Sequence, residues 1–210
     1  MKIAIVDCGA GNLHSLAKGL ALAGDVEVAI ETDPVAAICA DALVLPGVGA
    51  FGSAMERLAP AREQIRDALL GGLPCLGVCL GMQLLFDASE EGAGDGLGVI
   101  AGRVERLRAR RVPQMGWNLV APEPAESLAA RPFHAYFANG YVCRPRDEGV
   151  VTAWSRHEDD RFAAIVRTAR TVGVQFHPEK TGRDGLSLLA AWLRAAAGAP
   201  AMSPAREAAR

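Results

Sequence analysis

Ile3 to Val6 is an unbroken apolar run, as expected of a strand covered on both faces. The loop Asp7-Cys8-Gly9-Ala10-Gly11-Asn12 follows. Leu13, Leu16, Ala17 and Leu20 then recur at helical spacing, closed by Gly24. Val26 to Ile30 reads as a second strand and Pro34 to Cys39 as a short helix or turn. Ala42 to Leu45 reads as a third strand, running into Pro46-Gly47-Val48-Gly49. Met55, Leu58, Ile65, Leu69 and Leu70 fall in helical segments broken near Pro60, and Gly71-Gly72 closes them. Alternating strands and helices predict a parallel sheet with helices on both faces. Such sheets place their sites at the C-terminal strand ends. The loops after Asp7 and Leu45 and the turn after the fourth strand therefore share one edge.

The second half has a different rhythm. Glu90 to Gly98 is glycine-rich and acidic, which predicts a loop. Short β-like pieces follow: Gly102 to Leu107, Trp117 to Val120, Tyr136 to Val142, Val150 to Trp154, Phe162 to Val166 and Thr171 to Gln175. Helical patterning returns from Asp184 to Ala197. The predicted class is α/β: a central, mostly parallel, flavodoxin-like sheet flanked by helices, with extra antiparallel strands late in the chain. Residues 1–197 are expected to form one domain. Residues 198–210 hold Ala, Pro and charge with little to bury, which predicts a disordered tail.

Composition narrows the function. The 210 residues are 50% hydrophobic and 22% charged, with a net charge of −2, so no nucleic acid or anionic membrane surface is indicated. No apolar stretch approaches the roughly 20 residues of a membrane span. The five cysteines are odd in number, lack zinc-finger spacing and follow no signal sequence, so reduced thiols in the cytoplasm are expected. No metal or cofactor is expected. Gly9-x-Gly11 lacks the third glycine of a dinucleotide loop and reads as a turn.

The most informative stretch is Pro74 to Gln83. An apolar run ends at Cys79, glycines stand two residues before and after it, and a helical pattern begins at once. This is the layout of a strand-to-helix nucleophile elbow, with Cys in place of Ser. The sharp turn is expected to push the thiol into solvent, and the helix start to favour thiolate. The competing reading is a buried structural cysteine.

A cysteine nucleophile needs a base, and the base an orienting group. Of the four histidines, His177 ends the apolar run Val172 to Phe176, Pro178 fixes its turn, and Glu179 can reach back to the imidazole. His14 and His157 read as surface residues, and His134 as half-buried among aromatics. An oxyanion hole is expected from the amides of Val48, in the glycine loop, and Leu80, just after the nucleophile.

Pro46-Gly47-Val48-Gly49, Gly77-Val78-Cys79-Leu80-Gly81-Met82-Gln83 and Gln175-Phe176-His177-Pro178-Glu179 together resemble the class I, triad-type glutamine amidotransferases. The resemblance implies that Cys79, His177 and Glu179 hydrolyse the glutamine side-chain amide. It implies substrate contacts at Gly47, Gly49, Gln83, Glu91, Asn139, Gly140 and Tyr141. Asn139-Gly140 departs from the family's His-Ser/Thr, which leaves backbone contacts there as the expected role. Within the class, the segments at 7–15, 46–51 and 112–118 are similar to the glutaminase subunits of imidazole glycerol phosphate synthases. That similarity implies a heterodimer with a (β/α)8-barrel cyclase subunit, through Asn12, Gln114, Trp117 and Asn118. Gln114 stands where the family usually has His. Little turnover is expected without the partner, because free ammonia release is wasteful and an oxyanion amide near Val48 pointed away until the partner binds costs ~2–4 kcal/mol of transition-state stabilisation. A glutaminase subunit for anthranilate or pyridoxal phosphate synthesis is the alternative enzyme. A catalytically silent module on the same fold is the alternative from another class.

Overall fold

A computed structural model describes residues 1–9, 13–47, 49–92, 94–124, 126 and 128–198. The first half alternates as its pattern predicts: β1 (Lys2–Val6), α1 (Leu13–Ala23), β2 (Glu27–Glu31), α2 (Pro34–Ala37), β3 (Ala42–Leu45), α3 (Phe51–Leu58), α4 (Arg62–Leu70), β4 (Cys75–Val78) and α5 (Leu80–Leu84). The break near Pro60 is a 3-10 turn, Ala59–Ala61. Asp33 caps α2 by accepting from Val35 N at 2.9 Å, with Pro34 as first helical residue.

The second half adds β5 (Phe86–Ser89), β6 (Ile100–Arg106), β7 (Gln114–Pro122), β8 (Phe133–Asn139), β9 (Tyr141–Pro145), β10 (Val151–His157), β11 (Asp160–Thr168), β12 (Thr171–Val174) and α6 (Gly182–Ala197). β5 is absent from the sequence-based expectation, because Leu84, Leu85 and Phe86 extend the apolar pattern of α5 without a break. The piece read as Tyr136 to Val142 is two strands that part at Gly140. β8 closes the large sheet, whereas β9 pairs with β6 in a separate three-stranded sheet.

The large sheet has nine strands in the order β2-β1-β3-β4-β12-β11-β10-β7-β8. From β2 to β12 all pairings are parallel, and from β12 to β8 all are antiparallel. β12 is therefore the hinge strand of a mixed sheet. β1 sends Ile3 and Ile5 to one face, against Leu16 and Leu20 of α1 and Leu188, Leu189 and Trp192 of α6. It sends Ala4 and Val6 to the other face, against Phe51 and Met55 of α3 and Ile65 of α4. Burial on both sides is the reason that Ile3 to Val6 of β1 and all of β3 are apolar, whereas the edge strand β2 keeps glutamates at both ends.

Candidate active site

β4 ends at Val78 and Cys79 turns straight into α5. Its φ of 49° and ψ of −101° lie where a non-glycine residue costs of order 1–3 kcal/mol. Hydrogen bonds on both sides hold it there: Cys79 N donates to Val174 O at 2.7 Å, and Gln83 N donates to Cys79 O at 3.2 Å. The flanking glycines are required by space. A Cβ on Gly77 would lie 2.6 Å from Gly81 O, and one on Gly81 would collide with Leu45 O. Both omissions let α5 start directly over β4 and β3.

The thiol does not stand in solvent. Cys79 is only 6% exposed. The loop after β3 covers it, with Gly47 so close that a Cβ there would lie 3.2 Å from Cys79 Cβ. An elbow read alone predicts exposure; the neighbouring loops of the fold remove it.

His177 arrives from β12, the strand beside β4, whose Val174 pairs with Val78. His177 is 1% exposed, and its Nδ1 lies 2.8 Å from Glu179 Oε1. Cys79 stands close enough to the ring to act on its proton. Burial pulls the imidazolium down, but the hydrogen bonds and charges of Cys79 and Glu179 outweigh it, and the ring titrates at about 9. At neutral pH His177 is therefore the cation that a reactive sulfur needs beside it. Burial above all holds the Cys75 and Cys143 thiols well above their ordinary range, with nearby Cys79 adding to it for Cys143. Burial and the Asp7 charge raise Cys8 to about 11, against a lowering by Arg57.

Two contacts escaped the sequence reading. Gln175 Nε2 lies 3.6 Å from Cys79 Sγ. Thr181 clamps the His177 loop: its hydroxyl donates to His177 O at 2.6 Å and accepts from Tyr136 N at 3.2 Å. Strand alternation was the available signal for Gln175, because positions two apart share a face with His177.

The other predicted residues gather in part. Leu80 is buried at the start of α5, and Gly49 takes a φ of 123° in the loop beside Cys79. Gln83 is buried, not solvated, and its Nε2 donates to Tyr141 O at 3.2 Å. Asn139 Nδ2 donates to the same oxygen at 3.0 Å, so its side chain pins the Gly140-Tyr141 backbone. Glu91 Oε2 accepts from Phe51 N at 3.0 Å, at the start of α3. Val48 and Asn12 lie outside the described residues.

Gln114, Trp117 and Asn118 stand on β7. Gln114 is buried, and Asn118 Nδ2 donates to Arg156 O at 2.7 Å. Trp117 is 60% exposed and packs edge-on against Tyr136, ring centres 6.2 Å apart. Tyr136 links this face to the site, since its carbonyl accepts from His177 N at 2.9 Å. His134, expected half-buried, is exposed on the same strand face.

The family model for "Glutamine amidotransferase class-I" matches residues 4–195. The chain belongs to this family. Its curated relatives include the imidazole glycerol phosphate synthase subunit HisH of Synechococcus elongatus, 42% identical over 199 residues, covering 90% of this chain and 91% of that protein. The subunit of the same name from Thermus thermophilus is 44% identical over 198 residues, covering 90% and 96%. Among solved structures, a crystal structure of glutamine amidotransferase superposes with a TM-score of 0.73 at 23% identity, covering 93% of this chain and 99% of the other. PurLQS from Thermotoga maritima gives 0.71 at 18%, covering 92% and 98%. This amidotransferase thus has the α/β class expected from its sequence, and its family resemblance is borne out.

Proposed function

We propose that the chain is the glutaminase subunit of an imidazole glycerol phosphate synthase, acting in histidine biosynthesis. The observation that carries the reading is the single buried imidazole, His177, with Nδ1 2.8 Å from Glu179 Oε1 and Cys79 near enough to raise its pKa, at the C-terminal strand edge.

Cys79 sulfur attacks the side-chain amide carbon of glutamine, and the carbonyl oxygen takes the negative charge. The amides of Val48 and Leu80 receive that charge. His177, held by Glu179, gives its proton to the nitrogen as the C–N bond breaks, releasing ammonia and leaving a thioester. Water, deprotonated by His177, then attacks the thioester, and glutamate leaves with the sulfur restored. Gly47 and Gly49 shape the oxyanion loop. Gln83, Glu91, Asn139, Gly140 and Tyr141 hold the substrate. Glu91 Oε2 already faces a backbone amide, so its second oxygen is the one offered to the glutamine ammonium.

The ammonia goes to a (β/α)8-barrel cyclase subunit that makes imidazole glycerol phosphate and an aminoimidazole carboxamide ribonucleotide. Met115, Trp117 and Leu119, at 64%, 60% and 45% exposure, form an apolar strip along β7 that suits such a partner. Asn12, Gln114 and Asn118 belong to the same interface, with buried Gln114 supporting it from beneath. Residues 1–197 act as one domain, and the pair works in the cytoplasm. Among the described residues no helix is long and apolar enough to cross a membrane.

The test is synthesis by the assembled pair with glutamine or with ammonium salt as nitrogen source. Cys79→Ala is expected to abolish the glutamine-dependent rate and keep the ammonia-dependent one. Glutamine-dependent synthesis that survives in that variant overturns the proposal.

A further inference from the structure

Gln175 is fully buried, and its backbone is anchored by Gln175 N donating to Ala164 O at 2.9 Å. Its side-chain Nε2 lies 3.6 Å from Cys79 Sγ, within sulfur hydrogen-bond range. Its Oε1 is buried without a partner among the described residues. A core amide with one end unsatisfied is unfavourable, and Met would fill similar space without that cost. The arrangement is explained if the other end of the amide has a task. That end meets the reacting sulfur. A thiolate accepts hydrogen bonds and donates none, so it selects the orientation with N–H towards sulfur.

We propose that Gln175 is a catalytic residue that keeps Cys79 ionised by donating its side-chain N–H to the sulfur. His177 and Gln175 then supply two donors to one anion, the ring carrying charge and the amide direction. The amide stays in place through the cycle. Its bond to sulfur weakens when the thioester forms and is regained when water expels the thiolate, so it also assists the second step. This deepens the reading of Cys79 as nucleophile, but its test needs neither glutamine nor a partner.

The experiment is alkylation of the full chain by iodoacetamide from neutral to alkaline pH, followed on the Cys79 peptide by mass spectrometry. That readout separates Cys79 from the exposed Cys39. Gln175→Met is expected to slow alkylation at neutral pH about tenfold, and to match the parent at alkaline pH, where both sulfurs are ionised. Gln175→Leu, an apolar side chain with no donor, is expected to be slowed at neutral pH as well, so one folded variant suffices. A rate equal to the parent at neutral pH, or equal slowing at every pH, overturns the proposal and makes Gln175 a packing residue. Loss of glutaminase activity with an unchanged alkylation profile also overturns it, and leaves Cys79 as nucleophile untouched.

Discussion

Cys79 is held by its surroundings in a backbone conformation that it would not choose alone, and the glycines around it make this possible. Gly81→Ala is expected to cost about 2–3 kcal/mol or more, because its methyl group meets the Leu45 carbonyl and not a pliable side chain. A denaturant midpoint within error of the parent would contradict that packing. His177 offers a second check. Its titration at about 9 depends on Cys79 as well as Glu179. In Cys79→Ala, burial is opposed by Glu179 alone, so the ring is expected to titrate lower, read by imidazole NMR. An unmoved midpoint would mean that sulfur and ring do not interact. At this scale the gathering of Cys79, His177 and Glu179 was legible, because each sits in a short local pattern of Gly, Pro and apolar residues. Gln175 and Thr181 were less so, because Cys79 and Tyr136, which they meet, lie 96 and 45 positions away in the chain. The covering of Cys79 was hidden for the same reason: Gly47 is thirty-two positions away in the chain.

At the level of elements, β4 and β12 bring Cys79 and His177 together from neighbouring strands, and β8 connects His177 to the exposed face of β7. His177 N bonds the Tyr136 carbonyl, and the Tyr136 ring meets both Trp117 and the Lys180 ammonium, the latter 5.5 Å from its centre. Trp117→Ala is expected to leave the melting of the free chain within about 0.5 kcal/mol of the parent, since the ring is largely exposed. It is expected to weaken both cyclase binding and partner-stimulated glutamine turnover several-fold. Titration calorimetry and coupled turnover assays check this; unchanged affinity would remove β7 from the docking face. The β–α alternation of the first half was plain in the sequence, because each element carries its own apolar period. The parting of β8 from β9 at Gly140 was not, since an apolar run shows burial without showing which sheet receives it.

The whole molecule joins a parallel half that carries the proposed chemistry to an antiparallel half that carries the proposed docking face. One titration spans this join. His177 rises from 6.5 in the open chain to about 9 in the fold, so its stabilising contribution is full below pH 6.5 and is lost as pH climbs through 9. The parent is expected to lose more unfolding free energy than Cys79→Ala between pH 6.5 and 9.5, measured by denaturant titration. Equal losses would place the linked proton elsewhere. The register of β4 against β12 has a wider meaning. The Val78–Val174 rung fixes the reach from sulfur to imidazole. The long intervening stretch is therefore no ruler for catalysis. Lengthening or trimming its outer turns changes what the enzyme can attach to while the spacing at its heart is conserved, so new allegiances can arise on this scaffold without rebuilding the reaction.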